Sequence, residues 1–317
     1  MRPRLTAEGA LVVKAQSRRG TAAVFTAIPV KDSPFYCTDE IFKYIARRRF
    51  LIKSIGALDM EVSRCRIGTC SDRAGFNHFE SCVSTNIQGA RHEVMRKVTQ
   101  EMLSDIGVAF DQADLRCHAG IRDELARAGA VNSITGELVQ RSGRGNHEGG
   151  DMLVHGLYQA GDRTVLDFTV VSERAACRVV QSLTSTAGGA SGTQEAATLK
   201  GAEEGKRNHY GRMYDKIGVR TEGVAMDLAG DIGPGFRAFL KRCEVIGGFA
   251  RPLWANWSAG STFFSAWRQR YVASVQIKNA EIALESRRRS LGANADWRAR
   301  AGDEAAGVGT RRYGGVG

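Results

Sequence analysis

Residues 150–171 read GDMLVHGLYQAGDRTVLDFTVV, and this stretch decides the fold class. Residues 152–154 are a short apolar run, and residues 164–171 are a β-branched run with a single carboxylate, Asp167, inside it. Both runs have the composition of buried β-strands. Asp151 opens the first strand directly after two glycines. An antiparallel pairing of these strands would therefore bring Asp151 and Asp167 close together.

Helical and β patterns follow one another outward from this strand pair. In the clearest helical pattern, apolar residues recur every four positions: Val94, Val98, Met102 and Ile106. We predict helices over 37–60, 90–106, 111–128, 194–215, 236–246 and 261–289, a further strand over 219–229, and loops over 61–90, 142–150 and 182–193. This order is typical of an α+β or α/β protein, with a sheet flanked by helices.

The composition excludes several classes of protein. The chain has 317 residues, of which 43% are hydrophobic and 25% charged, so wholesale disorder, collagen and a coiled-coil rod do not fit. No run of about 18 apolar residues is present, which predicts no membrane span. The basic N-terminus lacks the apolar segment of a secretory signal. Seven cysteines are an odd and modest number, which favours a reducing compartment over a disulfide scaffold.

The net charge of +11 is concentrated at the two ends of the chain. Residues 1–60 hold 11 Lys/Arg and 5 Asp/Glu, residues 252–317 hold 10 and 5, and the middle is neutral. Basic arms on a neutral body suit a polyanion, because each cation near a phosphate releases counterions. Solvated, disordered tails are the alternative interpretation. Two arginine runs are the candidates for nucleic-acid contact: Arg47, Arg48, Arg49, and Arg287, Arg288, Arg289.

Four residues have the spacing of a zinc site, Cys-x4-Cys-x7-His-x3-Cys: Cys65, Cys70, His78 and Cys82. Three thiolates and one imidazole make a closed tetrahedral shell for a structural Zn²⁺. The surrounding segment is poor in apolar residues, so it would gain its fold from the metal. Cys37 and His92 are reserve ligands. The alternative is a set of unrelated buried thiols with a surface histidine.

Asp151 and Asp167 predict a second metal site. A carboxylate among apolar neighbours needs a metal, another cation or a solvent-facing edge. Two close carboxylates repel each other unless a divalent ion lies between them. Oxygen ligands favour Mg²⁺. The helix that follows offers Glu203 and Lys206 on one face, where Lys206 could stabilise phosphate charge and Glu203 could complete the metal shell or orient the lysine. The alternative for this pair is an ordinary surface ion pair.

The order of these motifs resembles the C-terminal region of non-LTR retrotransposon proteins of the restriction-like-endonuclease type. The resemblance covers roughly residues 65–245. It rests on the Cys-Cys-His-Cys knuckle, Arg-His-Glu-Val at 91–94, Gly-Asp-Met-Leu-Val at 150–154, Leu-Asp-Phe-Thr-Val-Val at 166–171 and Glu-x-x-Lys-x-x-x-Tyr at 203–210. Trp-Arg-Gln-Arg at 267–270 is also similar. No aromatic-x-Asp-Asp polymerase segment is found, so we expect a downstream fragment of such an element or a host remnant of one.

The resemblance implies a PD-(D/E)xK nuclease. Asp151 corresponds to the first metal-binding Asp and Asp167 to the acidic residue of the second half, with the carbonyl of Phe168 as a further ligand. Thr169 stands where the lysine is usual, and Lys206 would substitute from the following helix, as in some members of the fold. The implied organisation is a basic disordered segment (1–34), a helix with the zinc knuckle (35–90), the endonuclease domain (91–250), a basic helix (251–290) and a disordered tail (291–317).

These observations predict a nuclear, Mg²⁺-dependent endonuclease with a structural zinc, acting on DNA and potentially on RNA. Two other functions stay open. A decayed nuclease would bind nucleic acid without cutting it, and the threonine in the place of the usual lysine favours that alternative. A structural interaction protein with a zinc knuckle would not retain DNA even at low salt.

Overall fold

A four-stranded mixed sheet lies at the centre of the protein. The computed structural model describes residues 35–50, 65, 67–68, 70, 78–80, 82, 85, 87–111, 118–129, 150–171, 193–247 and 262–308. The strands are β1 (Phe110–Asp111), β2 (Met152–His155), β3 (Arg163–Val171) and β4 (Arg220–Asp227), in the order β1-β2-β3-β4. β1 and β3 are antiparallel to β2, and β4 is parallel to β3.

Six helices accompany the sheet in the described residues: α1 (Asp39–Phe50), α2 (Ile87–Asp105), α3 (Ala119–Arg127), α4 (Thr193–Tyr214), α5 (Pro234–Gly247) and α6 (Phe263–Val308). α4 joins the two parallel strands, which a tight turn cannot do. In this part of the chain no helix is both long enough and apolar enough to cross a bilayer.

Alternation along β3 divides the core between the two faces of the sheet, because successive side chains of a strand point in opposite directions. Val165 packs with Tyr210 and Tyr214 of α4 and with residues of α3. Leu166 and Phe168 point the other way, into the main core formed with α2, α5 and α6. The protein is therefore a mixed α/β structure with helices on both faces of one sheet.

α6 connects the sheet to the cysteine-rich segment. Its first half places Trp267, Tyr271 and Val275 in the main core. Further along, Ala280 and Leu284 join a second cluster, which also contains Phe35, Tyr44, Ile45, Cys65, Phe79 and Cys82. The basic helix predicted as a separate C-terminal element is thus part of both cores.

The predicted mixed α/β class is confirmed, and so is the antiparallel pairing of β2 with β3. The helix predicted over 194–215 is present as α4, and a short 3₁₀ turn, Asp215–Ile217, follows it. Two local predictions were wrong. Asp111 lies in β1 and not in a helix, since its backbone pairs with Leu153. The tail expected to be disordered from residue 291 continues as helix to Val308, which the absence of proline from 291–308 permits. Residues 1–34, 51–60, 142–149, 182–192 and 309–317, for which we predicted disorder, helix or loop, lie outside the described residues.

Candidate metal-dependent active site

The two predicted aspartates meet where β2 begins. The backbone N–H of Asp151 donates to the carbonyl of Leu166 over 2.8 Å, which fixes Asp151 beside β3. One residue beyond Asp167, the N–H of Phe168 donates to Oδ2 of Asp151 over 2.6 Å. Gly150 permits this approach, since a Cβ at that position would lie 2.1 Å from Cγ1 of Val165. The absence of a side chain at position 150 therefore has a steric reason.

Lys206 reaches the same point from α4. Its Nζ donates to Oδ1 of Asp167 over 2.9 Å, and the Asp167 side chain is only 3% exposed. The ring of Tyr210, one turn further along α4, has its centroid 6.0 Å from Nζ. Thr169 lies two residues after Asp167 and so on the same face of β3. The ammonium of Lys206 thus lies on the side of the sheet that Asp167 and Thr169 face.

His92, on the second turn of α2, belongs to this site as well. Its Nε2 lies 2.7 Å from Oδ2 of Asp151, and its ring meets the ring of Phe168 edge to face at 6.2 Å. The sequence suggested His92 only as a reserve ligand of the zinc knuckle, whereas the structure groups it with Asp151 and Asp167. The sequence places His92 near the start of a helix just after the knuckle. Its contact with Asp151 could not be predicted, because the two residues are 59 positions apart in the chain.

The electrostatics of the site follow from burial and from the proximity of two acids. Burial, and then the charge of Asp151, raise the pKa of Asp167 to about 7, although Lys206 opposes the shift. The hydrogen bond with Asp151 raises the pKa of His92. Burial raises the pKa of Tyr210, and the two aspartates add to that effect. The region therefore has excess negative charge that a cation would neutralise.

The residues present fit a divalent ion. Oδ2 of Asp167 is buried and has no hydrogen-bond partner among the described residues. A buried carboxylate oxygen in that state calls for a proton or a cation. Nε2 of His92 and carboxylate oxygens of Asp151 and Asp167 all lie within 4.8 Å of one another. A metal ion at this point would be held by these three residues.

Glu203 has a different position from the one predicted. It is 2% exposed, and its carboxylate accepts backbone N–H groups of Gly235 at 2.7 Å, Phe236 at 2.9 Å and Ala225 at 3.3 Å. These donors belong to the first turn of α5 and to β4, so Glu203 caps α5, where the helix dipole favours an anion. It is not among the described residues that could share an ion with Asp151 and Asp167.

Three glycines leave room for the Glu203 carboxylate and its backbone. A Cβ at Gly233 would lie 2.1 Å from Oε1 of Glu203, and one at Gly223 would lie 2.5 Å from its carbonyl oxygen. A Cβ at Gly235 would lie 3.0 Å from Oε2. α4 is consequently held against β4 and α5 one turn before Lys206. Glu203 therefore acts on the site through the placement of α4.

The four predicted zinc ligands converge in the segment before α2. Sγ of Cys65 lies 3.9 Å from Sγ of Cys82, and Sγ of Cys70 lies 3.5 Å from Nε2 of His78. Around a tetrahedral Zn²⁺, bond lengths of about 2.3 and 2.05 Å give about 3.8 Å between two thiolates and about 3.6 Å between a thiolate and an imidazole nitrogen. This group could hold a metal ion, and its ligands and spacings are compatible with zinc. Cys37, the other reserve ligand, is a free thiol outside the group.

Burial favours the neutral thiol at Cys65 in the Cys/His group. Cys65 is fully buried, and Cys82 and His78 are nearly so. Burial raises the pKa of the Cys65 thiol to about 12, and the neighbouring Cys82 adds to the shift. Thiolates at such positions form when a metal binds and displaces the protons. Phe79 and Cys82 pack in the same cluster as Ala280 and Leu284 of α6, which places the group firmly on that helix.

The two arginine runs are carried by helices that touch. α1 packs against α6, and Arg288 contacts the carboxylate of Glu40. Arg289 pairs with Glu285 one turn earlier. Both pairs are exposed, where an ion pair contributes about 0–1 kcal/mol, so phosphates could replace these carboxylates. Arg287 is half-buried, as is Arg47, whereas the side chains of Arg48 and Arg49 lie outside the described residues.

Comparisons with protein-family models, with curated proteins and with solved structures find no match to this chain. The interpretation of the site consequently depends on its own residues and their geometry.

Proposed function

We propose that the protein is a metal-dependent endonuclease with a restriction-like core, related to the C-terminal region of non-LTR retrotransposon proteins. One observation carries the proposal: an acid directly before β2, an acid in β3, a lysine from the crossover helix and a histidine from α2 meet at one point of a mixed sheet. The acids come from segments 16 residues apart and the lysine from 39 residues further on, so their meeting is a property of the fold and not of local sequence.

Asp151 and Asp167 bind the divalent ion in this proposal. A bound divalent ion lowers the pKa of a coordinated water and polarises the phosphodiester. With an ion bound, the Asp167 carboxylate would be ionised, and Lys206 would still donate to its Oδ1. Because Nζ of Lys206 has two further N–H donors beyond its bond to Asp167, it can also stabilise the negative charge that develops on a phosphate oxygen.

The remaining parts of the protein would hold the nucleic acid. The Cys/His group, with Zn²⁺ bound, would fix the segment before α2 on α6. The arginines at 47–49 and 287–289 would contact phosphates, and such contacts position a duplex without reading its sequence. DNA is the proposed substrate.

Plasmid cleavage in the presence of divalent ions tests the proposal. Asp167→Ala should abolish cleavage and leave salt-sensitive DNA retention unchanged, whereas Asp123→Ala, which removes an exposed carboxylate on α3, should cut like the wild type. Lys206→Ala should also lose cleavage. Cleavage by Asp167→Ala at the wild-type rate would reject the assignment.

A decayed nuclease is the second candidate, and Thr169 at the place of the usual lysine favours it. It predicts DNA retention that weakens with salt and no cleavage with any divalent ion. Absence of retention at low salt would favour a structural interaction protein instead.

A further inference from the structure

We infer that His92 is a direct ligand of the ion held by Asp151 and Asp167, and that this nitrogen makes the site select Mn²⁺ over Mg²⁺. The inference deepens the proposed function and rests on it only for the position of the ion, at Asp151 and Asp167. It revises the expectation of Mg²⁺, which followed from the two carboxylates alone.

The geometry allows one ion to contact all three residues. Neighbouring ligands of an octahedral ion with bonds of about 2.1 Å lie about 3 Å apart, and opposite ligands about 4.2 Å apart. Nε2 of His92 is 2.7 Å from Oδ2 of Asp151, and the ligand atoms of all three residues lie within 4.8 Å of one another. Small side-chain rotations therefore suffice to place these atoms around a common centre.

Each of the three side chains has a free position for the ion. Oδ2 of Asp167 is buried without a partner among the described residues, because Lys206 donates to the other oxygen. The Asp151 carboxylate has only Oδ2 engaged in the contacts described above, with the N–H of Phe168 and with His92. The side chain of His92 is 37% exposed, so its ring has room to turn toward the ion.

The mixed ligand set determines which ion the site prefers. Mg²⁺ binds oxygen ligands and tolerates little departure from an octahedron with metal–oxygen bonds of about 2.0–2.1 Å. Imidazole is a better ligand for the first-row transition metals, and Mn²⁺ also accepts carboxylates and water. Two carboxylates plus one imidazole thus favour Mn²⁺ over Mg²⁺, whereas the cysteine-rich group retains zinc because Mn²⁺ does not displace it from thiolates.

The experiment uses the full-length, zinc-loaded protein with Mn²⁺ as the probe. Electron paramagnetic resonance measures how much added Mn²⁺ is bound, and pulsed spin-echo spectra detect a ¹⁴N nucleus coordinated to it. We expect one bound Mn²⁺ with ¹⁴N modulation, displaced by Mg²⁺ only at a concentration at least about tenfold higher than that of Mn²⁺. His92→Gln should remove the modulation and weaken Mn²⁺ binding by about tenfold or more, with little change for Mg²⁺.

His155→Gln is the matched control. The side chain of His155 is also 37% exposed, and its Nε2 lies 2.8 Å from a carboxylate oxygen of Asp111. His155 lies at the opposite end of β2 from Asp151 and is not among the described residues that could share the ion. This variant should keep the modulation and the affinity. Asp151→Asn should lose bound Mn²⁺ while its circular dichroism spectrum stays that of the wild type.

Several results would overturn the inference: no bound Mn²⁺, modulation that persists in His92→Gln, or equal affinity for the two ions. Failure of the proposed function would look different. A protein that binds Mn²⁺ through His92 and cuts no DNA would reject the endonuclease and leave the metal assignment standing.

Discussion

Asp167→Asn should stabilise the protein when no divalent ion occupies the strand-pair site, by an amount that grows as the pH rises from about 4 to about 7. The side chain of Asp167 is 3% exposed, and one of its oxygens has no partner among the described residues. Asparagine has nearly the same shape and can still accept the hydrogen bond from Lys206. The substitution removes a buried negative charge whose protonation is favoured by burial and by Asp151.

The magnitude follows from the pKa of Asp167. Folding raises this pKa from 3.8 to about 7, so the unfolded chain loses the proton near pH 4 while the folded protein keeps it up to about pH 7. The free energy of unfolding therefore falls as the pH rises through this window. A shift of about three units at 1.36 kcal/mol each gives about 4 kcal/mol as the upper bound of the loss. Below pH 4 aspartic acid and asparagine are both neutral, and the two proteins should be about equally stable.

Urea unfolding at pH 4.5, 6, 7 and 8 measures this difference. The protein is loaded with zinc and freed of weakly bound divalent ions on a chelating resin. The stability advantage of Asp167→Asn should grow with pH and level off above about pH 7, and the exposed-site control Asp123→Asn should show no such trend. Added Mn²⁺ should remove the advantage, because only the wild type gains from binding it. A constant difference from pH 4.5 to 8, or a less stable variant at pH 8, would refute the reasoning.

Three further changes test other parts of the structure. Glu203→Gln should lower the free energy of unfolding by about 1–3 kcal/mol in thermal or urea melts, because an amide NH₂ would face backbone N–H donors; Glu204→Gln, at the exposed neighbouring position, should change it by less than about 0.5 kcal/mol. Cys82→Ser should lose its zinc, as measured by elemental analysis. The fall in zinc affinity should exceed the roughly 10- to 100-fold effect of changing a residue that only contacts a metal ligand. Retention of one zinc per chain would argue against the four-ligand site. The double variant Thr169→Lys/Lys206→Ala should recover part of the plasmid cleavage that Lys206→Ala loses, because both positions face the same side of β3. An inactive double variant that still binds Mn²⁺ would indicate that the lysine must come from α4.

The elements of the fold were largely accessible from sequence because their patterns are local. The four-residue apolar spacing predicted α2, where Met95, Val98 and Met102 are buried. The β-branched run predicted β3, and the paired glycines before Asp151 marked the entry to β2. β1 was missed because a two-residue strand has no period, and it exists only through its pairing with β2.

The site was only partly accessible, for a related reason. Asp151, Asp167 and Lys206 could be named because charges in apolar surroundings, or in a helix next to them, are locally unusual. The role of His92 depends on α2 packing across the sheet. Glu203 and Lys206 looked equivalent as an i,i+3 pair, yet burial against the first turn of α5 separates them.

The sequence alone determined which residue types are available, the helices and strands that carry them, and the spacing of the four cysteine and histidine ligands before α2. These properties depend on neighbours within a few positions, where the backbone geometry is the same in any fold. Only the tertiary structure decided that His92 faces Asp151, that Lys206 reaches Asp167 and that Glu203 caps α5. Such contacts join residues 32–59 positions apart, and the packing of α2, α4 and α5 on one sheet sets their distances.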